Sequence, residues 1–214
     1  RDWLRNLPNQ YLYGGIFKYS VRNLFVTTPK FIQALFPSLI WRKETTNKEI
    51  WLTFDDGPTP EVTPWVLAVL KKENIKATFF LVGEQIEQYP KLVGDMINAG
   101  HAIANHSYSH KNGWIIDDNT YFQDIERCQK LMPENKLYRP PYGKLNFNQI
   151  HKLKKDYKLI LWDVLSMDFS KSTTTSRIKN NVLNNVENGS IIVFHNNQKS
   201  FNNLKPVLKE TITE

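Results

Sequence analysis

The chain of 214 residues contains a single cysteine, Cys128, which limits how its fold can be stabilised. One thiol excludes an intramolecular disulfide framework and a zinc site built from cysteines. No run of 18 apolar residues occurs, so the sequence does not predict a membrane span. Hydrophobic residues still make up 41% of the chain. Cys128 belongs to a series of apolar residues spaced as on one face of a helix. We therefore expect one folded domain with Cys128 in its core, and room for at most a small extension.

Acidic side chains are nearly absent from residues 1–43, which contain seven basic residues and one acid, Asp2. The segment carries nine aromatic residues and a net charge of +6, out of +7 for the whole chain. Such an arm either packs on the domain with its charges in water or contacts an anionic membrane or cell-wall surface. No nucleic-acid motif accompanies the charge, so we expect no nucleic-acid partner. We divide the chain into an N-terminal extension, 1–45, and a main domain, 46–214.

The arm does not show the pattern of a secretory signal, and the chain begins at Arg1 rather than Met. We therefore expect a processed or trimmed precursor whose targeting signal is not visible in this sequence.

Short apolar strands and amphipathic helices alternate after the arm. Strands are predicted at 50–54, 77–82, 101–104, 158–164 and 191–194, and helices at 63–72, 86–99, 119–132, 147–155, 174–186 and 204–212. Strands separated by helices of this length indicate βαβ units and a parallel sheet. The pattern leaves open a closed or partly closed barrel and an open doubly wound sheet. In either fold, functional groups gather at the carboxyl ends of the strands.

Two adjacent carboxylates, Asp55 and Asp56, end the first of these strands, and Gly57 and Pro58 then turn the chain. Because side chains alternate faces along a strand, the two carboxylates should leave its end in different directions. One can then hold a metal ion while the other moves a proton. The alternative is an ordinary solvated turn.

His106 and His110 follow the third strand at a spacing of four residues. In one helical turn, this spacing places both rings on one face, close enough to share a metal ion. Together with the Asp-Asp pair, they form a two-histidine, one-carboxylate set with open positions for water. Such a set suits a divalent ion such as zinc, which activates water for hydrolysis.

Three further residues have the chemistry of an acid–base site. Arg139 precedes two prolines that stiffen its loop, and a guanidinium beside Asp55 would keep that carboxylate ionised and oriented. His195 ends the last strand, and an imidazole paired with a carboxylate such as Asp168 can stay protonated to act as a general acid. Taken alone, Arg139 could equally be a structural residue of a turn.

In their order along the chain, residues 53–58, 106–110, 139–142, 165–169 and 193–195 resemble the five motifs of the NodB-homology polysaccharide deacetylases, carbohydrate esterase family four. The resemblance covers about residues 48–212. It implies a distorted (β/α)7 barrel and metal-dependent removal of N- or O-acetyl groups from polysaccharides. Two positions depart from the fourth motif, in which Leu165 replaces an aspartate and Phe169 replaces a tryptophan.

The resemblance also implies a role for each site residue. The implied metal ligands are Asp56, His106 and His110, and the implied catalytic residues are Asp55, Arg139, Tyr142, Asp168 and His195. Asp55 would be the general base, oriented by Arg139, and His195 the general acid, tuned by Asp168. The backbone N–H of Tyr142 would help to hold the oxyanion. The metal would be zinc, with cobalt, nickel or manganese as alternatives.

We therefore expect a monomeric hydrolase of the cell envelope or of the secreted fraction, acting on N-acetylglucosamine units of peptidoglycan or of a chitin-like polymer. A catalytically silent glycan-binding module, and a hydrolase of another acylated glycan or of a small amide, remain as alternatives. Trp114 and Tyr108 are predicted either to line a sugar groove or to pack in the core. We expect His101 to be a core or supporting histidine and His151 to be solvated.

Overall fold

The computed structural model describes residues 26–132 and 134–214, and it contains one parallel sheet surrounded by helices. The strands are β1 Leu39–Ile40, β2 Trp51–Asp55, β3 Thr78–Leu81, β4 Ala102–Asn105, β5 Leu137–Tyr138, β6 Lys158–Ile160, β7 Val164–Leu165 and β8 Ile191–His195. The helices are α1 Lys30–Leu35, α2 Val62–Lys72, α3 Gly83–Gln88, α4 Pro90–Asn98, α5 Asp118–Gln129, α6 Phe147–Leu153, α7 Thr175–Leu183, α8 Gln198–Leu204 and α9 Leu208–Thr213. A short 3₁₀ turn, Pro141–Gly143, follows β5.

The eight strands form a curled sheet in the order β1-β6-β5-β4-β3-β2-β8-β7. Only residues 161–163 separate β6 from β7, although these two strands lie towards opposite ends of that order. The sheet must therefore curl until its two ends approach each other. This confirms the predicted distorted barrel and rules out the open doubly wound sheet. The barrel is not continuous, because within residues 26–132 and 134–214 the two end strands are not paired with each other.

Residues 26–40 contact both ends of the curled sheet. The backbone N–H of Leu165 in β7 donates to the carbonyl of Val26 (2.7 Å), and Thr27 forms an antiparallel bridge with Val164. Further along, β1 pairs in parallel with β6. The described part of the predicted extension thus lies along the seam of the barrel. Residues 1–25 lie outside the described range, so the boundary at residue 45 and the surface role of the arm stay predictions.

The predicted strand 158–164 is wrong as a single element, because it is divided into β6 and β7. Its central carbonyls are used by a side chain: Arg139 Nε donates to the Ile160 carbonyl (3.3 Å) and Nη2 donates to that of Leu161 (3.0 Å). These contacts replace the pairing that a continuous strand would need. The chain bends here, so that β6 pairs with β5 while β7 pairs with β8.

Two helices predicted as continuous are also divided, each beside a proline. The predicted helix 86–99 is replaced by α3 and α4, and Pro90 occupies the first position of α4. The predicted helix 204–212 is wrong in its first turn, because Leu204 ends α8, Pro206 follows, and α9 begins at Leu208. Proline lacks a backbone N–H and disfavours the helical conformation of the preceding residue. The apolar residues keep a helical spacing across both prolines, which is why the sequence predicted continuous helices.

Apolar side chains form two core clusters, one around β2, β3 and β8 and one between β5, β6 and the helices α5 and α6. Phe54, Phe79 and Phe194 stack across three adjacent strands of the first cluster. Cys128 is fully buried there, as predicted. Within the described part of the chain, no helix has the length and apolarity needed to cross a membrane. The clusters fix the strand ends from which the site residues project.

Candidate metal centre and catalytic cleft

A cleft of about 660 Å³ opens at the carboxyl ends of the strands. Six of the predicted site residues line it, namely Asp55, Asp56, His106, His110, Tyr142 and His195. The other two, Arg139 and Asp168, lie behind this lining and are fully buried. The volume of the cleft is in the range of pockets that bind small molecules or a few units of a polymer. The structure therefore brings all eight predicted residues to one place.

Asp55 is the last residue of β2, and its carboxylate is held by a buried cation. Arg139 Nη1 donates to Asp55 Oδ1 (2.6 Å) and to the hydroxyl of Thr53 (2.8 Å). The guanidinium also lies 4.0 Å from the centre of the Phe80 ring. Burial tends to lower the pKa of Arg139, but its charge and hydrogen bond with Asp55 oppose this shift. The two residues form a charge-assisted pair that fixes the Asp55 side chain.

Asp56 faces two imidazoles, one of which, His106, also lies 4.0 Å through Nε2 from Asp55 Oδ2. The Asp56 backbone leaves the strand with φ 75°. Asp56 Oδ1 lies 3.4 Å from Nε2 of His106 and 3.1 Å from Nε2 of His110. Burial disfavours the charged form, but the contacts with both imidazoles and the charge of His195 outweigh it and hold the pKa of Asp56 well below its ordinary value. Asp56 is therefore anionic at neutral pH.

The two histidines do not lie in a helical turn, so this part of the prediction is wrong. Residues 106–110 form a loop after β4, in which Ser107 and His110 have positive φ values of 65° and 53°. This loop nevertheless brings the two rings to a centroid separation of 5.1 Å. His106 Nδ1 lies 2.8 Å from the backbone carbonyl of Arg139 and can only donate to it. In the neutral ring, its Nε2 is then unprotonated and could bind a metal ion.

These ligand atoms fit a divalent cation. One carboxylate oxygen and one nitrogen from each ring lie within 4.8 Å of one another. Asp56 Oδ1 is buried and has no hydrogen-bond partner among the described residues. A buried carboxylate oxygen without a partner is costly, and a cation between it and the two Nε2 atoms would satisfy all three. Two nitrogens and one oxygen suit zinc or a similar transition ion.

His195, the last residue of β8, forms a close pair with Asp168. Its Nδ1 lies 2.7 Å from Asp168 Oδ1, and its backbone N–H donates to Asp168 Oδ2 (2.8 Å). Burial disfavours the imidazolium, but the charge and hydrogen bond of Asp168 outweigh it, with help from Asp56 and Asp55. Together they raise the pKa of His195 to about 9. The ring is therefore protonated at neutral pH, as a general acid must be.

The aromatic wall of the cleft comes from two loops. Tyr142 has φ 60°, is 60% exposed, and packs edge-on against His110 with ring centroids 4.7 Å apart. Phe169 packs in the same way against His195 at 5.0 Å. Leu165 also lines the cleft. The two departures from the fourth motif thus contribute apolar surface where an aspartate and an indole were expected.

Two residues that support the site were missed from the sequence. Asn197 Nδ2 donates to Asp56 Oδ2 (2.6 Å) while its Oδ1 caps α8. Asp124, on α5, accepts the backbone N–H groups of Tyr108 (3.0 Å) and Ser109 (3.1 Å) and thereby holds the histidine loop. An asparagine before a helix is a recognisable capping signal. Nothing in the sequence around Asp124 distinguishes it from a solvated helix residue.

The remaining candidates have clear positions. Tyr108 is buried, and its hydroxyl hydrogen-bonds to Glu87 and Arg127, so it packs in the protein instead of lining a groove. His101 is buried against Phe79, and burial followed by the charge of Lys76 lowers its pKa. Both it and the exposed His151 lie away from the ligand set, as predicted. Trp114 is exposed at the surface.

Comparison with known proteins shows which family the chain resembles. The sequence model of the family described as polysaccharide deacetylase matches residues 42–159. A peptidoglycan-N-acetylglucosamine deacetylase of Bacillus cereus (strain ATCC 14579) is 39% identical over 153 residues, which are 69% of this chain and 55% of that protein. The peptidoglycan-N-acetylmuramic acid deacetylase PdaC of Bacillus subtilis (strain 168) is 33% identical over 157 residues, 71% of this chain and 33% of PdaC. The chain thus spans about half or less of these relatives.

Among solved structures, the Bc1960 peptidoglycan N-acetylglucosamine deacetylase superposes with a TM-score of 0.75. It is 34% identical, and the alignment covers 87% of this chain and 91% of that one. The family match, the shared fold and the grouping of all five motif segments around one cleft lead to one identification. The chain belongs to the polysaccharide deacetylase family.

Proposed function

We propose that the protein is a metal-dependent hydrolase that removes acetyl groups from N-acetylglucosamine units of a cell-wall glycan, with peptidoglycan as the foremost substrate. The observation that carries the proposal is the arrangement around one cleft. A buried carboxylate paired with arginine, a three-residue ligand set, and a protonated imidazole paired with a carboxylate all face the same space. The names of the two peptidoglycan deacetylase relatives support the choice of substrate.

In this proposal, each residue has a chemical role set by its contacts. When bound at Asp56, His106 and His110, a divalent cation supplies Lewis-acid polarisation and lowers the pKa of water. Asp55, held by Arg139, accepts a proton from the water that attacks the acetyl carbonyl carbon. Tyr142 contributes its backbone N–H to the oxygen that becomes negatively charged. His195 then donates its proton to the departing amine nitrogen, which leaves as the free amino sugar while acetate is released.

A purely glycan-binding role explains less of the structure. Binding requires neither a fixed base nor an imidazole kept protonated by a buried carboxylate. The Asp55–Arg139 and His195–Asp168 pairs place four charged or chargeable groups in or just behind the cleft lining, at a desolvation cost that binding alone does not explain. We therefore favour catalysis over the silent module.

The finer assignments follow from the same reasoning. We propose zinc as the resident metal because two imidazoles and one carboxylate with open positions suit it, and cobalt, nickel or manganese remain alternatives for the test. A cell-wall glycan as substrate implies that the protein acts at the envelope or outside the cell. We propose that it acts as a monomer. The basic residues within 1–43 would add peripheral attachment to an anionic surface.

The test is acetate release from N-acetylglucosamine oligomers and from peptidoglycan. It compares metal-stripped protein, the same protein restored with zinc, cobalt, nickel or manganese, and the Asp55→Asn variant. We expect release to return with metal and to fall by about 10²- to 10⁴-fold in Asp55→Asn, because general base catalysis is lost. Asp156→Asn, at an exposed position, is the matched control and should keep full activity.

Two results would contradict the proposal. Retained activity in Asp55→Asn would remove Asp55 as the base. No acetate release from any glycan, by protein that still binds the metal, would favour the silent module or another acyl substrate.

A further inference from the structure

An exposed tryptophan is held in a fixed orientation beside the cleft. Trp114 is 63% exposed, yet its indole Nε1–H donates to the carbonyl of Leu145 (3.0 Å) and its backbone N–H donates to Asn112 Oδ1 (3.0 Å). The carbonyl of the preceding residue, Gly113, accepts from Gln149 Nε2 (2.8 Å). A large apolar face is therefore both rigid and in contact with water. Rigid, exposed aromatic surface is typical of binding sites, because little conformational entropy is lost when a ligand covers it.

The backbone under Trp114 leaves no room for a larger residue than glycine. A Cβ added to Gly113 would lie 2.8 Å from the carbonyl oxygen of Lys144 and 2.8 Å from Gln149 Oε1. The loop carrying Trp114 is thus packed closely against the segment that starts at Lys144. This close approach holds the backbone beside Trp114 against the backbone of Lys144.

Lys144 connects this indole to the cleft. Its Nζ lies 5.0 Å from the centre of the Trp114 ring and 5.9 Å from that of Tyr142. Tyr142 in turn packs against the predicted metal ligand His110. Within residues 26–132 and 134–214, no carboxylate forms an ion pair with Lys144. The structure therefore has a continuous surface of two exposed rings with a cation between them, which leads from the metal centre outwards.

We propose that Trp114 and Lys144 form an outer glycan subsite that binds an acidic pyranose. The indole stacks on the sugar ring and the Lys144 ammonium binds a carboxylate carried by that sugar. This inference rests on the proposed function, and it assigns the part of the polymer that lies beyond the sugar being deacetylated. The apolar indole face suits the C–H surface of a pyranose, and the cation between the rings selects an acidic polymer over a neutral one.

The proposal distinguishes substrates by length and by charge. The experiment measures kcat/KM for acetate release by the zinc-loaded protein from three substrates: the N-acetylglucosamine disaccharide, its tetrasaccharide, and an alternating N-acetylglucosamine–N-acetylmuramic acid tetrasaccharide. The last is used with its stem peptides removed, so that each lactyl group ends in a free carboxylate, and also with the peptides present. Comparing the two forms shows whether Lys144 binds a lactyl carboxylate or a peptide carboxylate.

Trp114→Ala should lower kcat/KM about tenfold on both tetrasaccharides and leave the disaccharide unchanged, since a tenfold change is the scale of one stacking contact. Lys144→Gln should lower kcat/KM by about fivefold or less, because an exposed ion pair is weak, and only on the acidic glycan. Trp114→Phe keeps a ring and should retain most activity. Ile97→Ala removes an exposed apolar side chain of α4 outside the cleft and should have no effect.

An equal loss on all substrates, or no loss in Trp114→Ala, would overturn the subsite. The thermal unfolding midpoint of each variant shows whether a loss reflects misfolding. If the wild-type protein releases no acetate, the proposed function fails, but the subsite is still tested by calorimetric titration with the acidic tetrasaccharide. Binding that weakens in Trp114→Ala supports it, and equal or undetectable binding in both proteins contradicts it.

Discussion

The adjacent carboxylates Asp55 and Asp56 have opposite surroundings. Asp55 is paired with the buried guanidinium of Arg139, whose other donors are also satisfied by protein groups. Asp56 faces two imidazole nitrogens and keeps one buried oxygen without a hydrogen-bond partner among the described residues. The first environment holds Asp55 Oδ1 with a charged protein donor, while Asp55 Oδ2 lies 4.0 Å from Nε2 of His106. The second is complete only when a cation is added, so the two halves of the site should respond differently to mutation and to metal.

The backbone explains why neighbours in sequence have such different surroundings. Asp55 is still within β2 and in register with His195 of β8, so its side chain follows the pleat of the sheet. Asp56 leaves the strand with a positive φ, and Asn197 holds its second oxygen. A single residue step therefore separates a proton-transfer environment from a metal environment. Mutation and metal binding should therefore separate the two carboxylates.

The Asp55 half should be needed for folding. Arg139→Met keeps the volume of the side chain but leaves the Asp55 carboxylate and the Leu161 carbonyl without their donors. We expect the free energy of unfolding, measured with urea, to fall by about 3–5 kcal/mol, as when one partner of a buried ion pair is removed. Asp56→Asn in metal-free protein should cost less than Arg139→Met, because an asparagine side chain can still accept the hydrogen bond of Asn197. Equal losses in the two variants would contradict the comparison.

The Asp56 half should gain stability when metal binds. Zinc at a hundredfold excess over its Kd should stabilise the wild-type protein by about 2.7 kcal/mol, because it binds the folded state. His110→Ala should abolish this gain and leave the metal-free protein folded. His151→Ala, which removes an exposed imidazole elsewhere, is the control and should keep the gain. Thermal unfolding with and without zinc measures each case, and a gain that survives in His110→Ala would exclude this ligand set.

The Asp168–His195 pair should set the alkaline limit of activity. His195 is protonated below its pKa of about 9, so kcat/KM should fall as the pH rises through that region. A bound cation offsets the contribution of Asp56, so the midpoint should lie at or below about 9. Asp168→Asn removes the main charge that stabilises protonated His195. The alkaline fall of kcat/KM should therefore move to lower pH, towards the ordinary imidazole pKa of 6.5. An unchanged alkaline fall of kcat/KM would show that another group limits activity. Asp95→Asn, on the surface of α4, controls for the change in net charge.

The smallest effect concerns the support of the histidine loop. Asp124→Asn weakens the acceptor of the Tyr108 and Ser109 N–H groups, so His110 is held less firmly. We expect metal affinity, measured by competition with a chromophoric chelator, to fall about tenfold, as for other supports of metal ligands. Asp117→Ala on the same helix removes the N-cap of α5, where Asp117 accepts from Thr120. It should cost about 1 kcal/mol of stability without changing metal affinity, and a reversed pattern would contradict the role of Asp124.

The amino-acid sequence was enough to predict the chemistry of the site and its place in the fold. Apolar strands alternating with helices predicted a parallel sheet, and the residues after those strands predicted the functional edge. Asp55, His106 and His195 could be assigned to that edge because the carboxyl ends of parallel strands lie together. The type of each side chain then predicted its chemistry.

Which side chains contact each other depends on the three-dimensional packing of distant segments. Arg139 reaches Asp55 across 84 residues of sequence and also interrupts a predicted strand by binding its carbonyls. The loop of His106 and His110 is not helical, because its positive φ values are fixed by contacts with α5 and β3 that no local spacing encodes. The exposure of Trp114 depends equally on distant packing. Local sequence sets periodicity and residue chemistry, whereas pairing, exposure and loop conformation arise from contacts between segments that are far apart in the chain.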